Sequence, residues 1–248
     1  MKITILRFDS IGSTNTEALD QARRGAEEGL CIVAEQQTEG RGRFGRTWVS
    51  QPGAGLYFSI VLRPAIKPTF FPLLTLMSAV AVFDLLREDF GLDPDIKWVN
   101  DILIREKKIC GILAETTDGL KGNAVIIGVG LNLRQTNFPR ELADSATSIE
   151  ELTGEIPDRE KVLEFLTRHL SGVYSSLQGE NGPETIRRQW CARSSYSRGK
   201  PVRVSLGEEI FTGITCGIEE NGALRVKNKN GLIRIVQAGD VEKLREAN

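Results

Sequence analysis

The sequence predicts an α+β protein, a mixed β-sheet covered by helices, with a small C-terminal β-barrel attached. Three observations predict it. Compact apolar runs at 30–35, 56–62 and 124–129 have the length and composition of buried strands, yet helical stretches do not alternate with them regularly, so the sheet is expected to be mixed. The longest apolar stretch, 70–86, contains Pro72, Thr75, Ser78 and Asp84, which fits a buried helix, expected over 70–90 across a sheet, and not a membrane span. Beyond Arg198-Gly199 the pattern changes to short strands at 201–206, 209–216, 223–227 and 232–236. Among their joints are Asn221-Gly222 and Asn230-Gly231, both strong hairpin signals. The expected division is a main domain over 1–196 and the barrel over 197–248.

Composition narrows the function classes. A chain of 248 residues can bury a full core. Its formal net charge of −1 sets up no global attraction to nucleic acid, so DNA is not an expected partner. Cys31, Cys110, Cys191 and Cys216 form no C-x-x-C pair, which argues against a zinc site or disulfide framework and for a reducing compartment. The single histidine, His169, lies on an amphipathic helical stretch, so histidine triads and two-histidine metal sites are excluded and helix packing is expected. The N-terminal residues 1–8 read as a short strand closed by Asp9, too short for a signal peptide. A cytoplasmic location without a membrane partner is expected.

In chain order, residues 2–8 form a first strand. Ser13-Thr14-Asn15-Thr16-Glu17 then opens a helix, with Thr14 and Glu17 at capping-box spacing and Gly25 at its end. Strand 30–35 feeds Gln36-Gln37-Thr38 into Gly40-Arg41-Gly42-Arg43-Phe44-Gly45-Arg46, followed by Thr47-Trp48. Three glycines and three arginines in seven residues suit neither helix nor central strand. They suit a loop over an anion, offering backbone N–H groups and guanidinium forks. The spacing of Gly40, Gly42 and Gly45 matches G-x-G-x-x-G, but a strand follows and no Asp or Glu occurs between Gly45 and Arg63. A dinucleotide fold is therefore excluded.

The helix at 70–90 is ended by Gly91 and Pro94. Strands at 96–99 and 102–104 flank Asn100-Asp101, and Glu106-Lys107 is the expected turn into a returning strand at 108–113. The strand at 124–129 runs into Gly128-Val129-Gly130-Leu131-Asn132, whose glycines are placed to approach a ligand closely. Between 134 and 147 the pattern breaks: Asn137, Phe138, Pro139 and Ala146 fit a mobile loop with a short helix. Helices are expected at 148–152, 159–177 and 183–191.

Several polar residues fall at the ends of these apolar runs: Gln37 with the arginine loop, Lys97, Asn100 and Asp101, Lys108, and Asn132. Lysines and carboxylates beside buried segments are costly unless paired or used. The structural alternatives are helix capping by Ser13, Thr14 and Asn15, a Lys97–Asp101 ion pair, and a solvated Lys108. Trp48 is expected to be a core or hinge residue. The segments Ser13-Thr14-Asn15, Gln37 with G-R-G-R-F-G-R-T-W, K-W-V-N-D at 97–101, K-x-x-G-I-L at 108–113 and G-x-G-x-N at 128–132 follow one another along the chain. In this order they resemble the biotin–protein ligases from about Ser10 to the C-terminal barrel. Ala146-Thr147-Ser148 resembles the family's segment after its adenylate-covering loop.

The resemblance implies a class II synthetase-like, biotin ligase-like fold with a Src-homology-3-like barrel. It also implies a two-step, AMP-forming biotin–[acetyl-CoA-carboxylase] ligase. Biotin, ATP and Mg²⁺ give biotinyl-5′-adenylate, which then acylates a lysine of a biotin carboxyl carrier protein. In this reading Ser13, Thr14, Asn15, Gln37, Gly40, Arg41, Gly42, Arg43 and Lys108 contact biotin, with neutral hydrogen bonds to its ureido ring. Arg43, Asn100 and Asn132 face the nucleotide. Lys108, Arg43 and Asp101 are the catalytic candidates, and Asp101 serves a metal or positions a lysine. The family usually has proline where Val99 stands, and valine restores a backbone N–H without loss of side-chain chemistry. The chain opens directly on the catalytic region, which fits the short form acting as a ligase only, and a homodimer is possible by analogy. Two alternatives stay open: a lipoate or octanoate ligase, and a non-catalytic biotin or adenylate sensor.

Overall fold

The computed structural model of the chain describes residues 1–135 and 144–243. The expected loop residues Asn137, Phe138 and Pro139 lie outside that range. Strand β1 (Thr4–Ile11) leads into helix α1 (Thr14–Arg23). Ser13 is the N-cap residue by its extended backbone, without a side-chain cap bond. The expected Thr14–Glu17 capping box does not form. Thr14 Oγ1 donates instead to Gln37 Oε1 at 3.1 Å, and Glu17 accepts from Gln21 Nε2 at 2.7 Å. A tertiary partner outcompetes the local one.

Strand β2 (Leu30–Gln37) pairs parallel with β1, and β3 (Gly55–Leu62) runs antiparallel to β2. Helix α2 (Leu73–Glu88) starts later than expected because Pro68–Phe70 forms a separate 3-10 turn ahead of it. Next come β4 (Asp95–Lys97), β5 (Asp101–Ile104), β6 (Lys107–Thr117) and β7 (Ala124–Asn132). The β5–β6 turn sits one residue earlier than expected, on Arg105 and Glu106 with φ of 50° and 66°, the paired positive angles of a tight hairpin. The seven strands lie in the order β1-β2-β3-β7-β6-β5-β4.

Every residue of β3 is buried because both faces of the sheet are covered there. Ala18, Leu19 and Ala22 of α1 pack on Ile32, Val61 and Ile126 on one side. On the other side Leu56, Phe58 and Ile60 belong to the main core with α2, and α4 reaches β3 directly. Helix α2 is buried almost all round, as a helix must be when a second layer covers it. That layer follows α3 (Ile149–Thr153) and consists of α4 (Arg159–Leu177) and α5 (Gly182–Arg193). His169 of α4 lies 2.8 Å from Asp89 Oδ2 just past α2, so it joins two helices.

The C-terminal region contains β8 (Arg198–Leu206), β9 (Glu209–Ile218), β10 (Leu224–Lys227), β11 (Ile233–Val236) and an unexpected fifth strand, β12 (Asp240–Lys243). Their order is β11-β10-β9-β8-β12. The expected barrel is thus corrected to an open antiparallel sheet of Src-homology-3-like form, because β11 and β12 are its two edges and do not pair. The apolar face formed by Val202, Val204, Leu224, Val226, Val236 and Val241 is buried in the same core as α2, so closure is not needed to shield it. The hairpin glycine Gly222 lies so close to α2 that a Cβ there would stand 2.8 Å from Leu76 Cδ1. Trp98 Nε1 donates to the Gly222 carbonyl at 3.0 Å. Among the described residues no helix is long and apolar enough to cross a membrane.

Leu76 therefore serves both layers. Leu76→Ala should cost about 2–5 kcal/mol of stability, the usual range for a buried leucine, and should raise hydrogen exchange in β10. Denaturant melts with a loss well under about 1 kcal/mol would show that α2 does not hold the second sheet.

Candidate functional site

A cavity of about 870 Å³ lies between one end of the seven-stranded sheet and the C-terminal sheet, within the size range of small-molecule sites. Its neutral polar end is built by the start of α1 and the end of β2. Ser13, Asn15 and Gln37 line it, whereas Thr14 and Gly40 do not reach the wall. Thr14 stands behind Gln37, donating to Gln37 Oε1 from its backbone N–H at 2.8 Å, while Gln37 Nε2 donates to Ser50 Oγ at 2.9 Å. Gly40 is a packing position, since a Cβ there would lie 2.3 Å from the Trp48 carbonyl oxygen.

A chain of hydrogen bonds links this end to the arginine loop. Ser59 Oγ is 2.8 Å from Thr14 Oγ1 and 2.6 Å from Asn15 Oδ1. Asn15 Nδ2 donates to Glu115 Oε2 at 2.8 Å, and the same oxygen takes Arg41 at 2.5 Å. Arg41 is thus already paired. The loop is pinched by backbone bonds between Gly42 and Arg46 and between Trp48 and Gly40.

The floor refines one expectation and corrects another. The glycines of β7 line the cavity, and they also make room for protein side chains. A Cβ on Gly128 would fall 2.1 Å from Asn15 Oδ1, and one on Gly130 would fall 2.4 Å from Trp48 Cε2. Gly111 of β6 pairs directly with Gly130 and is equally close to the indole, 2.8 Å from Trp48 Cζ3. Trp48, expected in the core or at a hinge, therefore lies flat on a glycine platform and lines the cavity. Lys108 Nζ sits 5.3 Å from its ring centroid, within cation–π reach. The paired glycines of adjacent strands were the signal that could have placed it.

The cationic end depends on a register shift. β5 and β6 pair as Asp101↔Gly111 and Ile102↔Cys110, then slip so that Leu103 faces Lys108 and Ile109 is the extra residue. A one-residue slip exchanges the two faces of a strand. Here it puts Lys108 on the face of Asp101, Leu103 and Gly111, and lets Ile109 and Cys110 both be buried. Lys108 Nζ is 2.6 Å from Asp101 Oδ1, and Lys97 Nζ is 3.9 Å from Asp101 Oδ2. The Lys97–Asp101 ion pair expected as a structural alternative is present, Lys108 is ion-paired and not merely solvated, and both lysines line the cavity with Asp101.

Arg43 donates to Asn100 Oδ1 at 3.1 Å and to the Gly239 carbonyl at 3.4 Å. Burial pushes its pKa down, while Asp240 and Asp101 pull it back up. Asn100 is oriented by donating Nδ2 to the Ile112 carbonyl at 3.0 Å. Asn132, expected to face a nucleotide, lines the cavity but uses its Nδ2 on the Thr147 carbonyl at 3.0 Å. That bond joins two backbone bonds, Lys108 to Ser145 and Thr147 to Lys108, in clamping the segment Ala146-Thr147-Ser148 beside Lys108.

The far wall comes from residues the sequence did not single out: Tyr196, Arg203, Asp240, Glu242 and Lys243. Burial, with Asp95, Glu106 and Asp101 nearby, pushes the Tyr196 phenol up to about 12, so it is a neutral donor at physiological pH. No local motif marks Arg203, Asp240, Glu242 and Lys243, because only the pairing of β12 with β8 brings them together at the cleft. Among the described residues no group of three or more His, Cys, Asp or Glu could hold a metal ion. With two lysines against its carboxylate, Asp101 does not fit a protein-held Mg²⁺ site; magnesium typically arrives on substrate phosphates.

Comparison with known proteins gives a consistent picture. The model of the biotin/lipoate A/B protein ligase family matches residues 7–132, and that of the biotin protein ligase C-terminal domain matches 198–244. The bifunctional ligase/repressor BirA of Bacillus subtilis is 37% identical over 243 residues, covering 96% of this chain and 73% of that one. The biotin–[acetyl-CoA-carboxylase] ligase of Mycobacterium tuberculosis is 35% identical over 240 residues, covering 94% of this chain and 86% of that one. The structure of biotin protein ligase from Aquifex aeolicus in complex with biotin and ATP superimposes with a TM-score of 0.84 at 30% identity, covering 98% and 99% of the two chains.

The platform makes a prediction that needs no ligand. Gly130→Ala should expel the indole of Trp48, read as a red shift in tryptophan emission, because Trp98 and Trp190 are buried and stay so. An unchanged spectrum in a folded variant would show that Trp48 does not rest on Gly130.

Proposed function

The chain belongs to the biotin/lipoate A/B protein ligase family, and from that membership and the geometry of the cleft we infer that it is a biotin–protein ligase. It activates biotin with ATP to biotinyl-5′-adenylate and transfers the biotinyl group to a lysine of a biotin carboxyl carrier protein. The observation that carries the reading is one cavity with a neutral hydrogen-bonding end at Ser13 and Gln37 and a cationic end at Arg43, Lys97 and Lys108.

In the first step a biotin carboxylate oxygen attacks the α-phosphorus of ATP, and the bond to the departing pyrophosphate breaks. Two anions must meet, so fixed cations lower the barrier most where charge is concentrated. Lys108 and Arg43 are the residues we assign to the carboxylate and α-phosphate oxygens. Asp101 positions Lys108 and Lys97, and Asn100 orients Arg43. Arg41, bound to Glu115, shapes the loop and is a weaker candidate for ligand contact. In the second step a neutral carrier lysine attacks the acyl carbon and AMP departs, leaving an amide.

A lipoate ligase would place an apolar acyl chain where this cavity has Ser13, Asn15 and Gln37. A sensor would gain nothing from a lysine held 2.6 Å from a carboxylate at the cationic end. The proposal includes a cytoplasmic setting, supported by scattered cysteines. It includes no DNA partner, supported by the net charge of −1. A homodimer through a sheet edge is its oligomeric expectation.

The test is biotin-dependent exchange of pyrophosphate into ATP, followed by transfer to a carrier lysine. Exchange with lipoate and none with biotin would overturn the reading. Lys108→Ala should lower exchange by about 10²–10³-fold, the scale for removing one charge-stabilising group, with the circular dichroism spectrum unchanged. Exchange at the normal rate in that variant would remove Lys108 from the mechanism.

A further inference from the structure

The arginine loop is fastened to the C-terminal sheet at two successive residues. Arg46 forms an ion pair with Asp240 at the start of β12, and its other terminal nitrogen lies 3.4 Å from the second carboxylate oxygen, a fork-to-fork geometry. Arg43 directs both terminal nitrogens at the carbonyl of Gly239, each at 3.4 Å. Gly239 has a φ of 143°, and a Cβ there would stand 2.5 Å from Leu206 Cδ2 and 2.8 Å from the Ser205 carbonyl oxygen. Only glycine lets the backbone lie so close to β8 and turn its carbonyl toward the loop. Two residues beyond Val241, Lys243 pairs with Glu106 at the β5–β6 turn. One short edge strand therefore touches both the loop and the hairpin that carries Lys108.

On the other side the loop is held by Arg41 on Glu115 and Arg43 on Asn100, but its tip is not packed. The turn Arg43–Gly45 buries none of its residues. Phe44 at its tip is 63% exposed in a left-handed conformation with φ of 55°, which a bulky residue adopts only when its neighbours impose it. We propose that Asp240 is a positioning residue. Through Arg46 it holds the glycine–arginine loop over the cavity, and so sets how long the adenylate intermediate stays bound. This rests on the ligase reading above. In this division of labour Arg43 meets the ligand, while Arg46 spends its charge on Asp240. The pair is open to solvent, with Arg46 66% and Asp240 28% exposed, so it adds little to global stability and weakens with salt. What it fixes is the place of the loop.

The experiment uses the full chain and compares wild type, Asp240→Asn, and the exchanged pair Arg46→Asp with Asp240→Arg. Release of biotinyl-adenylate into solution and the KM and kcat of pyrophosphate exchange are measured at low and high salt. Asp240→Asn should release adenylate about tenfold faster, within the range that coupling between sites reaches, and raise KM while kcat changes by less than about twofold. The exchanged pair should recover most of the retention. High salt should speed release from wild type and leave Asp240→Asn nearly unaffected. Release from Asp240→Asn at the wild-type rate would overturn the proposal, as would equal salt slopes for the two proteins, a readout that does not depend on the exchanged pair folding. Wild type without biotin-dependent exchange would overturn the ligase reading instead, so the two failures are distinct.

Discussion

Cations gathered at one end of a cavity repel one another and lose solvation, and in this protein the offset is the carboxylate of Asp101. The strand register creates that contact. Asp101 and Lys97 face each other across β4 and β5, and Lys108 reaches the same face only through the one-residue slip at Ile109. Without the slip Lys108 would point into the core and Ile109 would face the cavity. The slip is favourable because it buries two successive apolar side chains, Ile109 and Cys110, which a strictly alternating strand could not do on one covered face. Packing in the core thus decides the electrostatics of the cleft. Burying Ile109 and exposing Lys108 are a single structural choice.

The same economy governs the floor. Gly111 and Gly130 are partners in the β6–β7 ladder, and glycines in central strands weaken a sheet unless something lies close against them. Here the indole of Trp48 supplies the missing packing, and its ring in turn faces Lys108. The arginine loop ends at Trp48, so the tryptophan anchors one end of a segment that otherwise buries little. Asp240 and Gly239 hold the middle. A loop fixed at both points keeps its arginines near the cavity without a buried core of its own.

Much of this was legible in the sequence, for reasons that can be stated residue by residue. Long apolar runs such as those of α2, β3 and β7 declare themselves because burial on both faces leaves few polar residues to confuse the period. The helix at 159–177 coincides with α4 because Asp158 caps it, accepting from Glu160 and Lys161, and capping is a local signal. The polar residues of the cleft were also visible, since Lys97, Asp101 and Lys108 stand out beside apolar strands. What was not legible depends on contacts between distant segments. The Thr14 hydroxyl looked like half of a capping box until Gln37 arrived from β2. β12 carries Asp240, Glu242 and Lys243 in four residues, a pattern that reads as solvated tail until β8 pairs with it. The open form of the second sheet was hidden for the same reason, because an edge can be judged only when its neighbours are known.

This dependence on distant contacts gives the cavity a property that neither sheet has alone. Its neutral end is fixed by α1 and β2, and its cationic end by the β5–β6 hairpin. Its outer wall is fixed by a sheet whose apolar face is continuous with the core around α2. Gly222 lies against Leu73 and Leu76, and Trp98 binds the Gly222 carbonyl from the residue next to Lys97. The backbone that carries the cationic end is therefore tied directly to the second sheet, on the core side of the strand, while β12 reaches the loop on the cavity side. Two attachments, one at Trp98 after β4 and one at the arginine loop, resist rotation in a way that either alone would not. Tilting the second sheet would have to break the apolar contact with α2 or draw Asp240 away from Arg46. The apolar contact is extensive and buried, and the ion pair is exposed and small. The ion pair is therefore the weaker of the two attachments between the sheets.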